Sequence, residues 1–207
     1  MEINTSISHK GWDIEPEDAK TYLHYYPRVN KEALSKWINA NLNDNFNVLD
    51  IGCGNAQFYS ILKEYNSNFR YTGIDNSENL VNEGTKVVGN QTVIKTDIYK
   101  YMNQISDCYD ICILSHMIEC IESPEYIINK ASKICKYISI LWYDYPTYDY
   151  DTTFIINQSS DPSILKLITR RKMSKDYWNH IINKNNLHLV YSTKNSEKDV
   201  LEIYQQK

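Results

Sequence analysis

The residues best suited to chemistry lie in one short stretch, residues 47–56. An apolar run there reaches Asp50, turns through Gly52 and Gly54, and leads into a segment with helical spacing that starts at Gln57. We interpret this as a strand, a tight turn and the start of a helix. Glycines in such a turn permit positive φ angles and remove the Cβ atoms that would hold a ligand away from the backbone. The helix N-terminus adds unpaired N–H groups and a partial positive charge, so the sequence predicts a ligand-binding turn.

The residues at positions 50 and 57 narrow the choice of ligand. A dinucleotide-binding turn would have a third glycine three residues after Gly54, where this chain has Gln57. A carboxylate at Asp50 would also repel the phosphates of a nucleotide, whereas it would attract a cation. These residues therefore favour a cationic ligand over a pyrophosphate.

Two more acids follow the next two predicted strands. Asp75 lies at the end of the predicted strand 69–76, at close to the roughly 20-residue distance from Asp50 at which nucleotide folds place a ribose-binding carboxylate. Asp97 lies near the end of the predicted strand 92–98. The carboxyl ends of parallel strands lie along one edge of a sheet, and doubly wound folds bind their ligands there. We therefore expect the three carboxylates to line one groove.

The elements that position these residues alternate between strands and helices. This βαβ alternation predicts an α/β protein, a Rossmann-like three-layer sandwich with a mostly parallel sheet and a C-terminal antiparallel hairpin. The predicted strands are 47–50, 69–76, 92–98, 110–116, 137–143, 187–192 and 200–204. The predicted helices cover 13–27, 31–42, 57–63, 77–85, 124–135 and 174–185. Residues 144–173 are predicted as a long polar and aromatic connection.

Length suits one structural domain, which we expect to comprise an N-terminal helical cap, residues 1–46, and a main part, residues 47–207. A net charge of −4 argues against a general nucleic-acid binder. No signal peptide is visible, and no apolar run approaches the roughly 20 residues that span a bilayer. The five cysteines form no C-x-x-C pair, which fits reduced thiols better than disulfides or a zinc site. We therefore expect a cytoplasmic protein that binds no metal, nucleic acid or membrane.

Residues 48–56 resemble the first motif of the class I S-adenosylmethionine-dependent methyltransferases, with Ala56 in place of the usual third glycine. The order of predicted elements over residues 47–205 is similar to that whole fold. The resemblance implies that S-adenosylmethionine is the cofactor, that Asp75 binds its ribose, and that Asp97 lies near the adenine amino group with Ile98 beside the ring. The cofactor contacts predicted in this way are Asp50, Gly52, Cys53, Gly54, Gln57, Asp75, Asn76, Asp97, Ile98 and Ser115.

The segment 114–122 follows the fourth predicted strand, where many small-molecule methyltransferases carry a hydrophobic-His-x-hydrophobic-Glu-His pattern. Here Cys120 replaces the last histidine. His116 is the best candidate for a catalytic base or for a group that positions the acceptor, and its alternative is a structural role beside the cofactor. Glu119 either orients His116 or contacts backbone and solvent.

The acceptor side is predicted from aromatic and acidic residues. Residues 142–151 are dense in Trp, Tyr and Asp, which suits a sugar or a cationic amine, although a tyrosine-rich chain could also fill a loop in this way. Trp142 and Tyr143 are therefore substrate candidates together with His116 and Glu119. Tyr26 belongs to a predicted helical segment that forms either a lid over the cofactor or plain helix packing.

Four basic residues lie further along the connection, Lys166, Arg170, Arg171 and Lys172. They could meet a phosphate on the substrate. A solvated helix end explains them equally.

Together these features predict a methyltransferase that acts at oxygen or nitrogen of a small polar acceptor, for example a sugar or glycan precursor. Methyl transfer from a sulfonium requires mainly alignment and exclusion of water, because the donor is already activated. The alternatives are a catalytically silent binding protein with the same fold and a nucleotide-dependent oxidoreductase. The missing third glycine speaks against the oxidoreductase.

Overall fold

The structure is a computed structural model that describes residues 16–19, 28–157, 167–195 and 200–207. Within the predicted N-terminal cap it describes helices α1 (Pro16–Ala19) and α2 (Val29–Asn41). Helix α1 contacts the rest of the fold through Ala19, whose side chain packs against Leu80 and whose carbonyl accepts a hydrogen bond from the Asn55 side chain. Tyr26 lies outside the described residues.

The described residues form nine strands, seven of which make one sheet. They are β1 (Phe46–Ile51), β2 (Phe69–Asp75), β3 (Thr92–Lys95), β4 (Tyr109–Ser115), β5 (Cys135–Trp142), β6 (Thr152–Asn157), β7 (Leu167–Lys172), β8 (Leu187–Lys194) and β9 (Val200–Gln206). The large sheet has the order β3-β2-β1-β4-β5-β9-β8. Strands β1 to β5 pair parallel with one another, and β9 runs antiparallel between β5 and β8. This confirms the predicted mostly parallel sheet with its C-terminal hairpin.

Helices cover both faces of the sheet. The remaining ones are α3 (Gln57–Tyr65), α4 (Glu78–Val88), α5 (Ile98–Gln104), α6 (Pro124–Ile134) and α7 (Lys175–Lys184). Successive residues of β1 alternate between two buried clusters: Val48 packs with Leu34 of α2, and Leu49 packs with Ile127 of α6. This alternation reflects the two-residue period of a strand and confirms the three layers. Among the described residues, no helix is long and apolar enough to span a bilayer.

Strand β3 is shorter than predicted, so that Asp97 lies beyond its end. The strand ends at Lys95, and α5 begins at Ile98. The Asp97 carboxylate accepts a hydrogen bond of 3.0 Å from the backbone N–H of Lys100, which caps α5. Helix capping by an aspartate thus replaces the strand extension expected from the apolar run.

A two-stranded ribbon lies inside the connection that was predicted to lack regular structure. Strands β6 and β7 pair antiparallel, with Phe154 opposite Arg170. The ribbon follows β5, precedes α7, and packs through β7 against the short 3₁₀ helix Ile118–Cys120. The β-branched run in β6 was the available signal, because such residues suit a strand.

Candidate active site

The glycine turn is held against the end of β2 by backbone hydrogen bonds. The N–H groups of Gly52 and Cys53 both donate to the Ile74 carbonyl, at 2.8 and 3.0 Å. Gly52, Gly54 and Ala56 have positive φ angles of 71°, 56° and 60°. Ala56 therefore adopts a left-handed conformation, which explains why glycine is the usual residue at this position.

Asp75 connects the turn to the next helix. Its Oδ2 accepts from the Gly54 N–H and its Oδ1 from the Ser77 N–H, both at 2.9 Å. Burial raises the pKa of Asp75, and these hydrogen bonds oppose that rise. Each carboxylate oxygen has a second lone pair, so Asp75 remains able to accept hydrogen bonds from ligand hydroxyls.

Asp50 is a buried carboxylate with one unused oxygen. Only 1% of the residue is exposed, and the Tyr71 hydroxyl donates to its Oδ2 at 2.7 Å. Among the described residues, no hydrogen-bond donor contacts Oδ1. Burial raises the pKa of Asp50 to about 6, while Tyr71 and the charge of Lys31 act to lower it. A buried carboxylate of this kind is stabilised by a cation that reaches its second oxygen.

Lys31 lies beside the candidate site and was not among the residues predicted from the sequence. It is only 4% exposed, and its Nζ donates to Gln57 Oε1 at 2.5 Å. Its charge lowers the pKa of both Asp50 and His116, so the ammonium group lies near both of these side chains. The available signal was its position on the buried side of α2, one helical turn before Leu34.

The other predicted cofactor residues lie along the same sheet edge. Asp97 follows β3, which pairs with β2 so that Lys95 lies opposite Asp75. Ser115 is the last residue of β4 and lies opposite Leu141 of β5. The Cys53 side chain is buried under the turn, where a Cβ on Gly73 would approach its Sγ to 2.7 Å. A ligand in the groove would therefore meet the backbone of Cys53 and not its thiol.

His116 lies directly beyond β4 and is neutral near pH 7. Its φ angle is 53°, and its backbone N–H donates to the Leu141 carbonyl at 2.8 Å. The centre of its ring lies 4.6 Å from the centre of the Tyr143 ring. Burial, together with the charges of Lys31 and Arg170, lowers the pKa of His116 to about 3. A histidine with such a pKa is a weak base. Its neutral imidazole is therefore better suited to forming a hydrogen bond with the methyl-accepting substrate than to removing a proton from it.

Glu119 holds the backbone that follows β5. Its Oε1 accepts from the N–H groups of Tyr143 and Asp144 at 2.6 and 3.0 Å. Burial raises the pKa of Glu119 to about 7. This geometry matches the alternative in which Glu119 contacts backbone, and it fixes the position of Tyr143 beside His116.

Trp142 and Tyr143 point in different directions. Trp142 is fully buried, donates from Nε1 to Glu202 Oε2 at 3.0 Å, and packs edge-on against Trp178 at 4.7 Å. This packing contradicts the predicted contact between Trp142 and a substrate. Tyr143 lies past the end of β5 and faces the site, because the strand alternation carries neighbouring side chains to opposite faces.

The basic residues at the end of the ribbon lie on a strand and not on the predicted helix end. The Arg170 guanidinium lies 4.3 Å from the centre of the Tyr143 ring and forms an ion pair of 3.3 Å with Asp144. Arg171 donates to the Glu122 carbonyl at 3.3 Å, and the Lys172 ammonium lies 4.9 Å from the Tyr148 ring centre. Lys166 lies outside the described residues. Arg170 is thus the basic residue that reaches the site.

A comparison with known families decides the class of protein. A family model described as a methyltransferase domain matches residues 42–204. The chain belongs to this methyltransferase family. No curated protein matches the chain. The match confirms the resemblance inferred from the glycine turn.

Solved structures support the same fold for this methyltransferase. The magnesium protoporphyrin IX methyltransferase of Synechocystis PCC 6803 with bound S-adenosylmethionine is 13% identical, with a TM-score of 0.69 over 100% of this chain and 99% of that one. The CcbJ methyltransferase of Streptomyces caelestis is 13% identical, with a TM-score of 0.65 over 89% and 98%. The N-terminal domain of EvdMO1, solved in the presence of S-adenosylhomocysteine and D-fucose, is 10% identical, with a TM-score of 0.64 over 86% and 83%.

The groove residues fit S-adenosylmethionine, the cofactor of this methyltransferase. The cofactor carries a carboxylate, an ammonium group, a sulfonium and two ribose hydroxyls. The groove offers an ammonium at Lys31, a carboxylate with an unused buried oxygen at Asp50, and a second carboxylate at Asp75. Within the described part of the chain, no group of three His, Cys, Asp or Glu residues could hold a metal ion.

Proposed function

We propose that this methyltransferase transfers the methyl group of S-adenosylmethionine to oxygen or nitrogen of a small polar acceptor. The observation that carries the proposal is the placement of neutral His116 and Tyr143 directly beyond β4 and β5, next to the glycine turn after β1. Their polar atoms and flat faces suit a small polar molecule.

On the cofactor side, each residue has a defined task. Lys31 binds the carboxylate of the cofactor, and Asp50 attracts its positive charge through the unused Oδ1. Asp75 accepts from the ribose hydroxyls, while Asp97 and Ile98 lie beside the base. The backbone from Gly52 to Gln57, with Asn76 and Ser115 on the neighbouring strand ends, completes the groove.

On the acceptor side, alignment is the main contribution of the protein. The cofactor supplies a methyl group that its sulfonium has already activated. His116 holds the acceptor atom in line by hydrogen bonding, Tyr143 covers it, and Glu119 fixes Tyr143 through the backbone. Because the pKa of His116 is about 3, acceptors that react without a strong base are favoured, and amines and carboxylates are examples.

Turnover separates this proposal from a catalytically silent binding protein. The protein is incubated with methyl-tritiated S-adenosylmethionine and a bacterial extract divided into low-molecular-weight, protein and nucleic-acid fractions. We expect label in the low-molecular-weight fraction. Label confined to protein or nucleic acid would overturn the small-molecule acceptor, and tight cofactor binding without transfer to any fraction would support the silent protein. The family match already argues against the oxidoreductase.

A further inference from the structure

The ribbon of β6 and β7 places one arginine on the acceptor side of the site. Its second strand packs against the 3₁₀ helix Ile118–Cys120, and Arg171 fastens it by donating to the Glu122 carbonyl. Neighbouring strand residues point to opposite faces, so Arg170 turns inward beside Arg171. The Arg170 side chain is 19% exposed. The ribbon therefore delivers a largely buried cation to this region.

Arg170 lies beside the aromatic ring that flanks the proposed acceptor position. Its guanidinium lies 4.3 Å from the centre of the Tyr143 ring, and the centre of the His116 ring lies 4.6 Å from the same point. The charge of Arg170 also contributes to lowering the pKa of His116. Because both residues are close to the Tyr143 ring, a small molecule held beside His116 could also reach Arg170.

One edge of the guanidinium is occupied and another has no acceptor. Nη2 of Arg170 forms the ion pair with Asp144 Oδ2 at 3.3 Å. Nε of Arg170 is buried and, among the described residues, has no hydrogen-bond acceptor. A buried donor is normally satisfied by protein, water or ligand, so Nε marks a position for an oxygen atom. The Asp144 contact orients the guanidinium through Nη2 and does not involve Nε.

Positively charged groups lie near the proposed acceptor position and would attract an anionic partner. Lys31 and Arg170 carry positive charge near His116, which is neutral near pH 7. Asp144 is a carboxylate that contacts Arg170, and burial raises the pKa of nearby Glu119 to about 7, so Glu119 is partly protonated near neutral pH. A guanidinium edge also matches the geometry of carboxylate and phosphate oxygens.

We propose that the methyl acceptor carries a carboxylate or phosphate group that binds the Nε edge of Arg170, while the atom to be methylated lies beside His116. This inference rests on the proposed small-molecule function and adds the chemical class of the acceptor. Arg170 is accordingly a specificity residue, which holds the acceptor at a point remote from the transferred methyl group.

Binding of small anions tests this site without knowledge of the acceptor. Acetate, methyl phosphate and neutral acetamide are titrated calorimetrically into protein saturated with S-adenosylhomocysteine, at constant ionic strength. We expect saturable binding of acetate or methyl phosphate, with the stronger of the two identifying the anion, and no binding of acetamide. In Arg170→Gln the affinity should fall about 10- to 100-fold, because a charge-assisted hydrogen bond is lost.

Matched variants make the outcome specific. Lys175→Gln removes a charge from an exposed residue at the start of α7, outside the site, and should retain anion binding. Arg170→Lys keeps the charge but lacks the fork of donors, so it should bind the anion more weakly than the wild type. Circular dichroism and S-adenosylhomocysteine affinity check that each variant is folded.

The proposal would be overturned by a lack of saturable anion binding to the wild type, or by equal binding to Arg170→Gln. Equal affinity for acetamide would also overturn it, since a neutral group would then suffice. Failure of the wild type to bind S-adenosylhomocysteine would instead count against the cofactor groove, so the two failures are distinguishable.

Discussion

Replacing Glu119 by Gln should stabilise the protein in a pH-dependent way. The folded protein raises the pKa of this carboxyl from 4.5 to about 7 by burial, which means that it holds the proton more tightly than the unfolded chain does. The free energy of unfolding therefore falls as the pH rises from 4.5 toward 7. Above the pKa of the folded protein the buried carboxyl is ionised, and the whole loss of stability is present. A difference of 2.5 pKa units corresponds to about 3 kcal/mol.

The glutamine side chain keeps the useful contacts of Glu119. Its Oε1 can accept the same backbone N–H groups of Tyr143 and Asp144, while the amide removes the buried charge. We expect the stability of Glu119→Gln relative to the wild type to rise by about 2–3 kcal/mol from pH 5 to pH 8, because only the wild type ionises a buried carboxyl over this range. Urea unfolding followed by circular dichroism at both pH values measures the two differences.

Glu122→Gln is the matched control, because Glu122 is exposed and belongs to the same segment. It should change the free energy of unfolding little at either pH. A stability gain of Glu119→Gln that does not vary with pH would refute the reasoning, because a buried ionised carboxylate could not be its cause. A large loss of stability at both pH values would show that the backbone contacts do not tolerate the amide.

Three further substitutions test other parts of the account. Lys31→Met should weaken binding of S-adenosylhomocysteine by about 10- to 100-fold in calorimetry, because a charge-assisted contact to the carboxylate is lost. Gly73→Ala should destabilise the fold by about 1–3 kcal/mol in urea unfolding, since its Cβ would lie 2.7 Å from the Cys53 Sγ. Glu202→Ala should cost more than about 3 kcal/mol, because the donors of Trp142, Tyr145 and Tyr204 would lose their acceptor.

Each of these substitutions has a control or a contrary result. Lys36→Met changes an exposed lysine of the same helix and should leave cofactor affinity unchanged. The loss caused by Gly73→Ala should be smaller when Cys53 is also replaced by Ala, and strict additivity would argue against the clash. A loss for Glu202→Ala below about 1 kcal/mol would mean that water satisfies the three donors.

The central part of the fold could be predicted because its signals are local. The apolar runs of the parallel strands, the glycines at 52 and 54, and the acid at Asp75 each report their own backbone environment. Asp97 shows the limit of this reasoning. Its capping bond to the Lys100 N–H competes with strand extension, and an apolar run alone does not reveal that competition.

The residues that were missed depend on contacts between distant segments. The sequence alone gives no sign that Lys31 differs from an exposed lysine on a helix surface. In the folded protein it is buried and its ammonium group contacts Gln57. Trp142 and Tyr143 are adjacent in sequence, but only the position of α7 and of Glu202 decides which of them faces the core. Arg170 reaches the site because the ribbon folds onto the 3₁₀ helix, and this docking has no local sequence signal.

The most direct test of the cofactor groove is calorimetric titration of S-adenosylhomocysteine into three proteins: the wild type, Asp75→Ala and Asp110→Ala. Asp110 accepts from the Asn47 N–H at the opposite edge of the sheet, so it controls for the loss of a carboxylate elsewhere. The groove predicts binding by the wild type, unchanged binding by Asp110→Ala, and at least about 10-fold weaker binding by Asp75→Ala. Absence of binding by the wild type, or equal affinity in Asp75→Ala, would contradict it.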